Sequence, residues 1–305
     1  MKSITLRSPA KINLCLSVLG KRPDGYHEVE MIMQMVGLYD EVTVTAGGKG
    51  ISVSCDSGAV PSGEGNIAWK AAQEILSAAG SDTGLSIEIK KNIPVAAGLA
   101  GGSGNAAAVL VAANRLLSAG FGPERLASIG TKIGMDVPFF FFGPTAVARG
   151  RGEIVETLLP LPCCWVLLAN PGFETSTAWV YKNLNLGLTK KGDCTKIARL
   201  TIRNIADGLH NDLEAVTAAA HPVITKMGKA LLSQKALGVC MSGSGPTVFG
   251  IFETESDCRT AATNLWGEGW RLFPAQTLTE SPFAEHLGGG EGAVGFGECA
   301  SCLIM

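Results

Sequence analysis

The chain has 305 residues, of which 46% are hydrophobic and 17% charged, with a formal net charge of −2. This is globular composition, long enough for one large or two medium domains with substantial cores. The near-neutral charge excludes a strong electrostatic footprint for nucleic acid or for an acidic membrane surface.

Nine cysteines are scattered singly apart from Cys163-Cys164 and the Cys299-Ala-Ser-Cys302 pair, a pattern that predicts reduced thiols in a cytosol. The lone C-x-x-C has no second pair or nearby histidine, so it predicts no zinc site. The start, MKSITLRSPAKINL, carries charges and a proline where a signal peptide needs an apolar run. VPFFFFGPTAVA falls far short of the ~20 residues that span a bilayer. The last four residues, Cys302 to Met305, fit a prenylation box, but no polybasic segment precedes them, and they are read as a chance match.

Along the chain, KINLCLSV (11–18) alternates, which predicts a half-buried strand with Ile12, Leu14, Leu16 and Val18 on one face and Lys11, Asn13, Cys15 and Ser17 on the other. Pro23, Asp24 and Gly25 then predict a turn. EVTVTAGGKGISVSC reads as two strands around a glycine-rich turn. Residues 66–79 predict a helix with an Ile67, Ala71, Ile75, Ala78 stripe, Asn66 as N-cap and Gly80 as its stop. LSIEIK (85–90) alternates as a strand, and after a glycine-rich loop Ala106, Val109, Leu110, Ala113 and Leu117 recur at helical spacing.

A further helix is predicted near 123–133, and TAVARGRGE follows as strand and loop. CCWVLLAN reads as a buried strand, followed by helices near 174–183, 211–220 and 222–236. GVCMSGSGPTVFGIF reads as strand, turn and strand, with a helix near 256–266. The glycine density of 281–305 predicts a loose tail. The mixture predicts a two-layer α/β architecture divided into residues 1–160, 161–280 and that tail.

The strand–loop–helix around 91–117 is the strongest chemical signal. Orphan backbone N–H groups and the helix dipole make such a junction an anion site, and Ser103 adds a hydroxyl. The loop ends in no Gly-Lys-Ser/Thr, and taken alone a simple turn and helix cap fit it equally well. Asp136 stands directly ahead of VPFFFF, where an unpaired carboxylate is costly. It is either a turn aspartate or one that has a partner such as a lysine. SGSG at 242–245, by itself, reads as a hairpin turn.

In order, PAKINLCLSV, PVAAGLAGGSGNAA and MSGSGPTVFG resemble the GHMP kinase superfamily. RPDGYHEVEMIMQ, GNIAWKAA, DVPFFFFG, GRGE and HNDLE fall where landmarks lie in its branch that phosphorylates the 2-hydroxyl of a CDP-linked methylerythritol. The resemblance runs from about residue 8 to about 252.

It implies a two-domain fold, with a ribosomal-protein-like N-terminal domain and a ferredoxin-like C-terminal domain. It also implies ATP as co-substrate, Mg²⁺, a small-molecule substrate, and a cytoplasmic monomer or weak homodimer engaging neither nucleic acid nor membrane. The ATP phosphates would be wrapped by Pro94, Val95, Ala96, Ala97, Gly98, Leu99, Ala100, Gly101, Gly102, Ser103, Gly104 and Asn105, with Asn66 near the nucleotide. Ser103 would be the protein's contact to Mg²⁺.

Asp136 would be the general base, with Lys11 holding it ionised. Tyr26 and His27 would recognise cytosine, with Tyr181 on its other face. Asn13, Thr177 and Ser244 would line the same pocket. The family loop reads Gly-Leu-Gly-Gly-Gly-Ser-Ser-Asn, so Ala100 and Gly104 are departures. The first is tolerable unless φ is positive there, and the second predicts one hydroxyl fewer in the phosphate or metal shell. Rival readings are another kinase of the superfamily, such as one acting on homoserine or mevalonate, and a nucleotide-binding sensor without chemistry.

Overall fold

The computed structural model describes residues 2–189, 194 and 201–287. Two long strands, β1 (Lys2–Lys21) and β2 (His27–Ala46), form an antiparallel ribbon that turns at Asp24, which accepts the Tyr26 N–H. With β3 (Ile51–Cys55), β4 (Leu85–Lys90), β5 (Thr145–Gly150), β6 (Ile154–Thr157) and β8 (His210–Asn211) they make a seven-stranded sheet ordered β3-β4-β2-β1-β8. In it β5 joins the first half of β2, and β6 joins β5. The two strands read around the glycine turn are not a hairpin, because β4 inserts between β2 and β3.

Four helices cover this sheet: α1 (Ile67–Ala79), α2 (Gly101–Leu116), α3 (Pro123–Thr131) and α4 (Phe139–Phe142). Asn66 caps α1 by accepting the Ala68 N–H, and Gly80 ends it with φ near 60°. A second sheet, ordered β11-β7-β10-β9, is built from β7 (Trp165–Asn170), β9 (Gly238–Met241), β10 (Val248–Phe252) and β11 (Arg271–Gln276). The helices of this half are α5 (Thr177–Lys182), α6 (Ile202–Asp207), α7 (Glu214–Ala220), α8 (Val223–Ser233) and α9 (Glu255–Asn264), with α10 (Ala284–Leu287) closing the described chain.

Four expectations are corrected. The alternation of β1 does not hold its phase: a bulge between Asn13 and Cys15 sends Leu14 and Cys15 to one side, and Leu16 joins Lys11 and Asn13 on the other. Neither face is solvated, since Lys11, Asn13, Cys15 and Ser17 are all buried. Helix α2 is not an amphipathic surface helix but a central one, buried on every side from Gly104 to Asn114.

Residues 281–287 are docked rather than loose: Phe283 is fully buried, and Arg115 on α2 donates to the Glu285 and His286 carbonyls. The rest of the expected tail, with its Cys302–Met305 ending, lies outside the described residues. Lastly, Cys15 and Cys194 form a disulfide, against the expectation of uniformly reduced thiols. Burial pushes the free thiols of Cys164 and Cys258 up to about 11 and about 12, which marks them as packed, unreactive groups. No helix among the described residues is long and apolar enough to cross a membrane.

Candidate active site

The two sheets meet over a cleft of about 1060 Å³, with room for more than one drug-sized ligand. Its floor is the junction of β4, the glycine loop and α2. The loop is stitched to the second half of the chain. Ser242 Oγ donates to the Gly98 carbonyl at 2.9 Å, and Thr247 and Thr175 donate backbone N–H groups to Ala97 and Ala96. Gly98 is obligatory here, because with φ near 77° any Cβ would sit 2.0 Å from the Ser242 carbonyl oxygen. The SGSG turn is therefore the loop's partner, not merely a hairpin.

Lys11 comes to the same point from β1. Its backbone N–H donates to the Leu99 carbonyl at 3.0 Å, and its ammonium donates to Asn13 Oδ1 at 2.6 Å and lies 3.7 Å from Asp136. The lysine side chain is 4% exposed and the aspartate 32% exposed, so the carboxylate faces the cleft while its counter-charge is held beneath. Asp136 sits in a turn fixed by buried Val137, Phe139 and Phe140 on one flank. The apolar run after it thus anchors a charged turn.

At the other end His27 stacks on Tyr181 with ring centroids 5.1 Å apart. Tyr26 is exposed beside them, with the Arg151 guanidinium 5.0 Å over its ring. Burial, helped by Lys21, pulls the His27 imidazole below its usual range and favours the neutral ring. Burial and then the nearby Asp136 charge push the Tyr181 hydroxyl up, so it stays protonated. Thr177 and Ser244 share a hydrogen bond of 2.8 Å across the cleft wall.

Sequence comparison places this geometry in a family. Residues 66–144 match the GHMP kinases N terminal domain, and residues 195–270 match the GHMP kinases C terminal domain. The chain is 49% identical over 282 residues to the 4-diphosphocytidyl-2-C-methyl-D-erythritol kinase of Pelobacter propionicus, covering 91% of this chain and all of that one. It is 47% identical to the enzyme of the same name from Geobacter metallireducens, with the same coverage. The chain belongs to the GHMP kinases, in the 4-diphosphocytidyl-2-C-methyl-D-erythritol kinase family.

A crystal structure of 4-(cytidine 5'-diphospho)-2C-methyl-D-erythritol kinase superposes with a TM-score of 0.80 at 32% identity, over 90% of this chain and 99% of that one. A homoserine kinase from Cytophaga hutchinsonii superposes with a TM-score of 0.75 at 18% identity, which shows the shared two-domain fold alone.

In this kinase most of the residues singled out from sequence line the one cleft: Lys11, Asn13, Tyr26, His27, Asn66, Pro94 to Gly98, Ala100 to Ser103, Asn105, Asp136, Thr177, Tyr181 and Ser244. Leu99 and Gly104 do not. Leu99 is buried behind the loop. A Cβ on Gly104 would point at Ser8 Oγ (2.7 Å) and the Pro9 carbonyl (3.0 Å), away from the cleft. The idea of a hydroxyl missing from the phosphate shell is therefore corrected, because position 104 faces the core. Ala100 has φ near 52°, the strained case named above, and so does Ala96 at 49°.

Several residues in and around the cleft were not singled out. Of those that line it, Lys91 and Thr175 carry no local pattern, and Arg151 lies within GRGE, a stretch that could have found it. Buried Asn211, within HNDLE, holds the SGSG turn by donating to the Met241 and Gly243 carbonyls at 2.6 and 2.8 Å.

Proposed function

We propose that this kinase transfers the γ-phosphoryl group of ATP to the 2-hydroxyl of 4-diphosphocytidyl-2-C-methyl-D-erythritol, giving the 2-phosphate and ADP. The observation that carries the reading is the Lys11–Asp136 pair, placed between the glycine loop and the Tyr26–His27–Tyr181 cluster. The loop's N–H groups at the start of α2 bind the phosphates, with Ser103 adding a hydroxyl. Asp136 accepts the proton of the attacking hydroxyl as its oxygen bonds to the γ-phosphorus and the bond to the β-phosphate oxygen breaks. Lys11, steadied by Asn13, stands beside that carboxylate and offsets charge at the reacting oxygen. The protein's share is positioning and electrostatics, which is what phosphoryl transfer requires.

The residues also suit Mg²⁺ carried on the nucleotide. No cluster of three acidic, histidine or cysteine ligands exists among the described residues, but an ion held mainly by phosphates needs only one or two protein oxygens. The Ser103 hydroxyl, which lines the cleft near the start of α2, would hold it. When bound, it neutralises charge on the β- and γ-phosphates.

Neutral His27 suits hydrogen bonding to a cytosine ring, with the stacked Tyr181 and the exposed Tyr26 as its aromatic walls. The boundary of the two domains is proposed near residues 158–162, with the first domain ending at residue 160. Cytoplasmic action as a monomer or weak homodimer, in isoprenoid precursor synthesis, completes the reading. The test is ADP release with the cytidyl substrate, mevalonate and homoserine side by side. Turnover confined to the first is expected, and turnover only with another removes the assignment.

A further inference from the structure

Beneath the glycine loop lies a carboxylate that this mechanism does not use. Asp40, on β2, is fully buried, and four donors converge on its two oxygens. Oδ1 accepts the backbone N–H groups of Asn92 (2.8 Å) and Ile93 (2.9 Å). Oδ2 accepts the Lys91 ammonium and the Asn105 side-chain amide, the latter at 2.9 Å. These donors belong to the two ends of one loop. Lys91 to Ile93 lead out of β4 into it, and Asn105 stands in the first turns of α2 beyond it. Lys91 and Asn105 themselves line the cleft, and the Lys91 ammonium packs against Gly101 at the start of α2, where a Cβ would lie 3.1 Å from it.

We propose that Asp40 is the positioning residue of the nucleotide site: one buried carboxylate sets the span of the phosphate loop, the place of Lys91 and the orientation of Asn105. A carboxylate is the only side chain of this size that accepts without donating, and four donors leave no place for an N–H. An asparagine at 40 would turn an amide toward Lys91 or Asn105. The Asn105 amide would flip, and the ammonium would keep no counter-charge. Asn105 Oδ1 is already buried without a hydrogen-bond partner, so the amide is held in its present sense by Asp40 alone. The Asp40–Lys91 pair is neutral as a unit. Attraction for phosphate is left to the N–H groups of α2, and the pair fixes where those groups stand.

The inference rests on reading the floor of the cleft as an ATP site, not on the identity of the alcohol substrate. Its test therefore has two arms on the full chain. Calorimetry with an ATP analogue carrying a non-hydrolysable β–γ bridge should show Asp40→Asn binding at least about ten-fold more weakly than wild type. Steady-state kinetics should show kcat/KM for ATP falling about ten- to a hundred-fold, the scale expected of a misplaced phosphate. KM for the cytidyl substrate should stay within about two-fold.

Should the single variant fail to fold around an unpaired lysine, Asp40→Asn/Lys91→Met leaves no buried charge unpaired. It should still bind the analogue at least about three-fold more weakly, through the flipped Asn105. Unchanged nucleotide affinity with only a lower melting temperature would reduce Asp40 to a structural role. Tighter binding, from a freed Lys91 cation, would overturn the proposal outright. A wild-type protein that binds the analogue but leaves the cytidyl substrate unphosphorylated would defeat the substrate reading and leave this one standing.

Discussion

If Asp136 takes the proton from the attacking hydroxyl, Asp136→Asn keeps the shape and loses the base. kcat should drop about 10²- to 10⁴-fold, with nucleotide affinity little changed. Stopped-time ADP assays read this directly, and near-normal kcat would remove the residue from the chemistry.

Gly104 makes the opposite kind of prediction. A serine at 104 would press its Cβ on Ser8 Oγ, a buried hydroxyl with no hydrogen-bond partner of its own. Gly104→Ser should therefore cost about 1–3 kcal/mol of unfolding free energy, the usual penalty of overpacking. Adding Ser8→Ala should return most of it. Apparent KM for ATP should stay within about two-fold throughout, because the side chain grows into the core. A clear gain in nucleotide affinity would show that position 104 reaches the phosphates after all.

At the level of elements, the glycine loop holds backbone strain. Ala96 and Ala100 both sit in the left-handed region, which costs a residue with a Cβ about 1–2 kcal/mol. Glycine removes that strain but loosens the unfolded chain by about 0.4–1 kcal/mol. Ala100→Gly should thus stabilise the protein by about 0.5–1 kcal/mol in urea titrations, and a loss of stability would show that the methyl is packed rather than strained. Elements with local signals were legible in sequence. Asn66 and Gly80 bracket α1 as their chemistry requires, and LSIEIK alternates because one face of β4 is solvated. Elements set by distant contacts were not. The bulge in β1 reverses the facing of Leu16 and Val18, and the first half of β2 is Met-rich and mostly covered on both faces, so it shows no alternation. Asp40 in GLYDEV reads as an ordinary surface acid, since its partners lie 51 to 65 residues away. The Lys11–Asp136 pair was legible only through family resemblance, as no local pattern joins the two residues.

Across the whole molecule, the two sheets are joined around the cleft by few covalent paths and many reciprocal ones. Strand β8 returns from the second half of the chain to pair with β1, and Asp212 beside it accepts the Val18 N–H. The Cys15–Cys194 bridge ties the same strand to the stretch that follows α5, across 179 residues of sequence. Cleft residues Leu184 and Leu186 stand between α5 and Cys194, so the bridge ties the chain beyond that wall of the cleft to β1. Closing so long a loop restricts the unfolded chain, and bridges of this kind contribute typically about 2–4 kcal/mol. In the oxidised protein Cys194→Ser should therefore lower unfolding free energy by about that amount. A thiol reductant should do the same to wild type and nothing further to the variant. Because Lys11 and Asn13 lie on the other side of the β1 bulge from Cys15, kcat should be nearly the same in both forms, and KM for the cytidyl substrate should rise on reduction. A cytosol favours the reduced form, so the compartment would set how firmly that wall is held. If reductant leaves both the melting temperature and the substrate KM of wild type unmoved, the bridge plays no part in either.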